Sequence, residues 1–199
     1  MYESLNFCPG QESFPGIQGV VYFLPKRSIV SWPKLPSLND LKDGDSVEKI
    51  AKYEGSFVLA ADKKWRKMDV VMEESPVSSE SQGEIPSKSF INKATIKLYS
   101  AEEDATAFIR MANSDDLVFV VFQKNGKSRV IGSKMFTTSV KPTQELGSTA
   151  TDKAGTTLEI EATDKCPAPF YVGKIEAEDG DIDGATGDAW VEPTADAEA

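Results

Sequence analysis

At 199 residues, 40% hydrophobic and 27% charged, the chain has room for one well-packed domain plus tails and too little for two of ordinary size, and its composition excludes a wholly disordered protein. The formal net charge of −10 sits at one end: Glu176 to Ala199 holds nine acidic residues and no basic one, which leaves 23 acidic against 22 basic in residues 1–175. A nearly neutral body is poor material for wrapping nucleic acid, and the absence of histidine removes Ser-His-Asp and Cys-His nucleophile systems, His-ligated zinc and imidazole acid–base chemistry.

Residues 1–17 read as an extended N-terminal arm, because aromatics alternate with two Pro-Gly breaks. Its Tyr2, Leu5, Phe7 and Phe14 need a surface to lie on, either on their own domain or on a neighbouring subunit. Neither a long apolar run nor a basic-then-apolar leader pattern occurs, so membrane insertion and secretion are not expected. Gly19 to Leu24 is the first strand, and Trp32 lies in a proline-rich crossing. Ser46 to Lys52 fits a short strand or one helical turn equally well. Ser56 to Ala60 and Trp65 to Glu73 read as strands around an Asp62-Lys63-Lys64 turn, with Met68, Val70 and Met72 on one face of the second.

Glu74 to Lys88 is the longest polar stretch of the body. It is either an irregular surface loop or a two-stranded flap that orders against a partner, with Val77 and Ile85 as its apolar contacts. Ser89 to Tyr99 is a strand, and Ser100-Ala101-Glu102-Glu103 has the pattern of a capping box opening a helix over 101–112. Ala101, Ala105, Phe108, Ile109 and Ala112 give that helix one apolar face.

The strongest local signal is Asp116 to Gly132. Leu117 to Phe122 is an unbroken run of β-branched, aliphatic and aromatic residues, as in a strand covered on both faces. Asn125-Gly126 predicts a type I′ turn, and Arg129-Val130-Ile131 starts the return strand. Thr137 to Lys153 is a long loop or a bent edge strand; Thr156 to Ala162 and Phe170 to Ile175 are further strands. The tally is about nine strands and one helix: a mainly β protein, an antiparallel sandwich or barrel spanning 18–175 with a flap at 74–88, a flanking helix and an acidic C-terminal tail over 176–199.

Chemistry is sparse. Asp179, Asp181 and Asp183 match the start of a calcium loop, but Trp190 stands where the bidentate glutamate belongs; a solvated acidic tail is the simpler reading. Cys8 and Cys166 each precede proline and read as buried free thiols, with a disulfide between them as the alternative. Adjacent carboxylates such as Glu73-Glu74, Glu102-Glu103 and Asp115-Asp116 point in different directions and form no shared acid–base pair. No catalytic set and no cofactor are expected.

The strand series, the polar flap at Glu74 to Lys88, the single helix, the LVFVVF-QKNGK-SRVIG hairpin and the closing PAPFYVGKI strand together resemble the tail tube proteins of long-tailed bacteriophages and their relatives in type VI secretion and contractile injection systems. The resemblance covers roughly residues 18–175. It implies a structural virion protein whose rings, typically hexameric, stack into a conduit for DNA, with sheets joined between neighbours and the flap and terminal arms against the next ring. The implied partners are further copies of the chain, other tail proteins, and DNA passing without sequence-specific binding; the implied location is the virion tail, and the host cytoplasm during assembly. Family lumens are commonly electronegative, whereas this body is near neutral. Two other classes fit the residues: another virion component (tail terminator, neck or capsid decoration protein), or a non-viral ligand-binding β-sandwich presenting Trp32, Trp65 or Trp190.

Overall fold

The computed structural model describes residues 14–149 and 154–192. The fold is built outward from strand β8 (Leu117–Gln123), whose alternating side chains feed two separate cores. Leu117, Phe119 and Val121 point to one side, Val118, Val120 and Phe122 to the other, and all six are buried. A period of two along a fully apolar strand puts it in the middle of a layered structure.

Around β8 lies a six-stranded sheet. β1 (Ile17–Pro25) and β9 (Ser128–Ile131) flank it antiparallel; β5 (Arg66–Asp69) closes one side, and β12 (Phe170–Tyr171) and β3 (Lys52–Tyr53) close the other. Its pairings are antiparallel except β12 with β3. A four-stranded antiparallel sheet covers one face, in the order β10 (Ser139–Glu145), β11 (Gly155–Asp164), β7 (Ser89–Leu98), β6 (Val77–Gln82). Helix α1 (Glu103–Ala112) flanks the same core, which takes Ala94 and Ile96 from β7, Leu158 and Ile160 from β11, and Phe119 and Val121 from β8. The opposite face is covered by two small strand pairs, β2 (Ile29–Ser31) with β4 (Val58–Leu59) and β13 (Lys174–Ala177) with β14 (Gly180–Asp183). There Phe57 meets the rings of Trp32, Tyr53, Trp65 and Tyr171 at centroid distances of 5.1–6.0 Å. The protein is a mainly β, antiparallel sandwich with one flanking helix, as its sequence suggests.

Several expectations need correction. The β8–β9 connection is not a type I′ turn: of its residues only Gly126 has positive φ, at +87°. The Gly126 amide donates to Gln123 O at 2.9 Å and the Gln123 amide to Lys127 O at 2.9 Å. This is a type I turn with a glycine bulge, the three-residue way of joining twisted strands. The capping box also fails to form. Extended backbone at Glu102 delays the helix to Glu103, and Ser100 Oγ accepts from the Glu102 amide at 3.1 Å. Met72, expected beside Met68 and Val70, is exposed because a 3-10 turn (Met72–Glu74) ends the alternation. Both readings of 46–52 contribute, a 3-10 turn (Val47–Ala51) running into β3.

The largest difference lies after residue 175. The stretch read as an acidic tail continues the fold: Ile175, Ala177 and Ile182 of the β13–β14 hairpin pack in the second core. Trp65 joins it by backbone bonds, its amide to Glu176 O at 2.8 Å and its carbonyl from the Glu178 amide at 3.2 Å. Ser128 Oγ lies 2.7 Å from Gly184 O and 3.0 Å from Tyr171 O. Alternation of Ile and Ala with acids is what a half-exposed strand needs, and the local charge hid it.

Candidate interaction surface

The expected site residues do not converge. Phe7 and Cys8 lie outside the described residues. Phe14 is exposed at the head of β1, Val77 is partly buried against the first core, and Ile85 stands 83% exposed at the tip of the β6–β7 hairpin. The flap of 74–88 is therefore half ordinary sheet: β6 pairs with β7 along its whole length, from Val77 opposite Ala94 to Gln82 opposite Ser89. Only Gly83 to Lys88 projects beyond it.

Asp179, Asp181 and Asp183 fall in and after the β13–β14 turn. Asp179 pairs with Lys67, Asp181 with Lys174 at 2.8 Å, and Asp183 accepts from the Ala185 amide at 2.8 Å. These bonds direct the three carboxylates to different partners, and the described residues hold no group of three such side chains arranged for a metal ion. Cys166 is a free thiol whose pKa burial pushes up to about 11, away from the reactive thiolate. Asp115 and Asp116 serve separate partners, Arg27 at 2.5 Å and Lys26 at 3.2 Å. Trp65 is fully buried and Trp32 stacks edge-on against Phe57, so these two indoles are packing residues.

The exposed sheet edges carry more information than the polar groups, because an unpaired edge pairs with another strand unless something prevents it. Three edges are guarded. β3 is two residues long and is followed by the Lys34–Glu54 bridge. β5 is headed by the Trp65–Ala177 bridge, and its Arg66 and Lys67 reach Glu178 and Asp179. β10 contains Lys141 and Pro142, and its Gln144 hydrogen-bonds Thr106 of α1. β6, sequence VSSESQ, has neither proline nor lysine and is exposed over most of its length. Its own bonds point inward, Glu80 to Lys93 at 2.8 Å and Ser79 to Asn92 at 2.6 Å.

Two clefts of similar size open at opposite ends of β1. One, of about 680 Å³, lies between the sheets beside Ile17, Val77, Gln123 and Arg129. The other, of about 670 Å³, lies between α1 and the loop before β5. Its floor is Phe23, Leu24, Leu117 and Phe108, with the Phe23 and Phe108 rings edge-on at 5.0 Å. Lys63 and Lys64 form one lip, Asp104 and Met111 the other. Sequence reasoning missed this cleft, since nothing local brings residues 62–66 opposite 104–115. The available signal was Met111, an apolar residue off the buried stripe of α1. No helix among the described residues is long and apolar enough to cross a membrane.

The chain matches no protein-family model, no curated protein and no solved structure.

Proposed function

We propose that the protein is a structural virion component, a tail tube subunit that assembles with its own copies into rings and stacks them into a conduit for DNA. The observation that carries this reading is the unguarded β6 edge. In a protein that works alone such an edge is a hazard; in an assembly a neighbouring copy covers it, and a ring results where β6 meets a different surface of that neighbour instead of its β6. The remainder of the reading is what the family resemblance implies: six-membered rings, other tail proteins as partners, DNA passing through without sequence reading, and residence in the virion tail. Tail terminator, neck and decoration proteins would use the same edge but would stop at one ring or one layer.

The test is negative-stain electron microscopy of the purified chain over a concentration series, with sedimentation of the same samples. Rings or tubes of constant diameter are expected, and the double variant Ser78→Lys, Ser81→Lys, which places lysines on the open edge, should abolish them while leaving the monomer folded. A monodisperse monomer at every concentration sinks the proposal.

A further inference from the structure

Arg129 stands where the sandwich asks for an apolar side chain. It pairs across the ladder with Val121, and two positions along the same strand Ile131 pairs with Phe119. Val121, Ile131 and Phe119 all point into the first core, so the period of two turns Arg129 toward the same face, between the sheets. A charge turned inward is ordinarily paired with an opposite one. Arg129 is half-buried and enters no ion pair among the described residues. Its Nη1 donates to Ala168 O at 3.0 Å, and the guanidinium lies 3.9 Å above the centre of the Phe170 ring. Desolvation lowers its pKa, and the titratable group that opposes this is the Cys166 thiol, itself pushed up to about 11 by burial and uncharged at neutral pH. A guanidinium carries a planar fork of N–H donors, and a single carbonyl leaves most of that fork unused.

Arg129 lines the cleft of about 680 Å³ between the sheets, a size ordinary for a small-molecule site. Lys124, lying over Gly16, is a second lining cation outside any ion pair among the described residues. Glu73 is the acid of the lining, so the charged side chains leave the cleft one net positive charge. Ile17, Val77 and Val121 supply apolar surface beside them. A phosphomonoester would bring close to two negative charges to this site. A carboxylate matches both the single charge and the flat fork.

We propose that this cleft binds a small monocarboxylate with an apolar body, its carboxylate held by the Arg129 fork with Lys124 beside it and its apolar part laid on Ile17, Val77 and Val121. Ligand binding here is a property separate from self-assembly and does not rest on the tube reading.

Isothermal titration calorimetry of the full-length chain tests it, with phenylbutyrate as the probe, phenylbutanol as its neutral counterpart and inorganic phosphate as an anion without an apolar body. Saturable binding of phenylbutyrate is expected, with the other two weaker by about tenfold or more. Arg129→Gln should weaken phenylbutyrate by about tenfold, Arg129→Lys, which keeps the charge and loses the fork, by less, and Lys124→Gln by roughly threefold. Circular dichroism establishes that each variant is folded, and in the wild-type chain the Arg129 Nε–H resonance should shift as phenylbutyrate is added, a readout that needs no substitution. No saturation up to ~10 mM phenylbutyrate, a resonance that stays in place, or wild-type affinity in folded Arg129→Gln overturns the site. Phenylbutanol or phosphate binding as tightly as phenylbutyrate overturns the carboxylate assignment.

Discussion

Asn92 Oδ1 accepts the backbone amide of Ala168 at 2.8 Å, joining two residues 76 positions apart at a site shielded from water. The same side chain donates to Cys166 O at 3.2 Å and accepts from Ser79 Oγ at 2.6 Å. One buried amide thus ties β6, β7 and the loop into β12, and it holds Ala168 at a φ of +27° that alanine rarely adopts. Asn92→Leu removes the partners of the Ala168 amide and the Cys166 carbonyl inside the protein. It should cost about 2 to 4 kcal/mol, since each orphaned buried group forfeits its desolvation energy. Urea denaturation measures this, and a loss under 1 kcal/mol would mean that the clamp is dispensable.

Asp164 gives a pH signature. Its carboxyl is buried with one oxygen lacking a hydrogen-bond partner, and burial raises its pKa, offset in part by the Lys165 amide and charge. The folded state therefore binds this proton more readily than the unfolded state does. The resulting penalty is present in full above the raised folded pKa and is relieved as pH falls toward the unfolded value near 3.9. Asp164→Asn should accordingly be more stable than wild type at pH 7, with the gap narrowing between pH 7 and pH 4. The comparison isolates this group from Asp40, Asp45 and Glu48, whose carboxyls are lowered by hydrogen bonds to lysine side chains and act in the opposite direction. A gap that does not change with pH would refute the assignment.

Gly126 carries two constraints that substitution can separate. Its φ is +87°, and a Cβ there would overlap the Thr186 carbonyl oxygen. Gly44 has nearly the same φ, +93°, with nothing within 4 Å of a Cβ. Gly44→Ala should cost about 1 kcal/mol from the backbone alone. Gly126→Ala should cost roughly 2 kcal/mol or more, because it also lifts the 184–187 segment from the turn. Equal losses in thermal denaturation would show that the segment is not docked there.

Pro142 guards the β10 edge, so its removal should open a second site for strand addition. Pro142→Thr is expected to scatter light at a lower protein concentration than wild type, with an unfolding midpoint that barely moves. If aggregation onset is unchanged, Lys141 and the Thr106–Gln144 contact suffice to protect the edge.

The sequence was most legible where a single period ran without interruption. Leu117 to Phe122 announced a strand buried on both faces, and its neighbours at β1 and β9 followed. Ala105, Phe108, Ile109 and Ala112 announced the helix. Legibility failed where distant residues decide the outcome. The turn at Asn125-Gly126 was the right place but the wrong geometry, because strand twist and a docked loop select the bulged form over the type I′ form. Asp179 to Asp183 looked like a cation loop because acids alternate there; Ile175 and Ile182, which bury, were the better guides. The α1 cleft had no local signature, since its two lips are separated by some 40 residues and meet only through β1 and β8.

The second face of β8 has a consequence for synthesis. Val118, Val120 and Phe122 leave the ribosome well before Tyr171, Ile175 and the Gly184 carbonyl that seals Ser128. At ordinary elongation rates roughly 60 residues separate these events, about 3 to 12 s. Through that interval the growing chain presents an apolar strand face that earlier residues such as Tyr22, Phe57 and Trp65 cover in part and that Tyr171, Ile175 and Ala177 complete. The nascent protein is then a client for whatever holds unfinished chains apart, and slowing translation between residues 125 and 170 should lower the soluble yield without changing the finished fold.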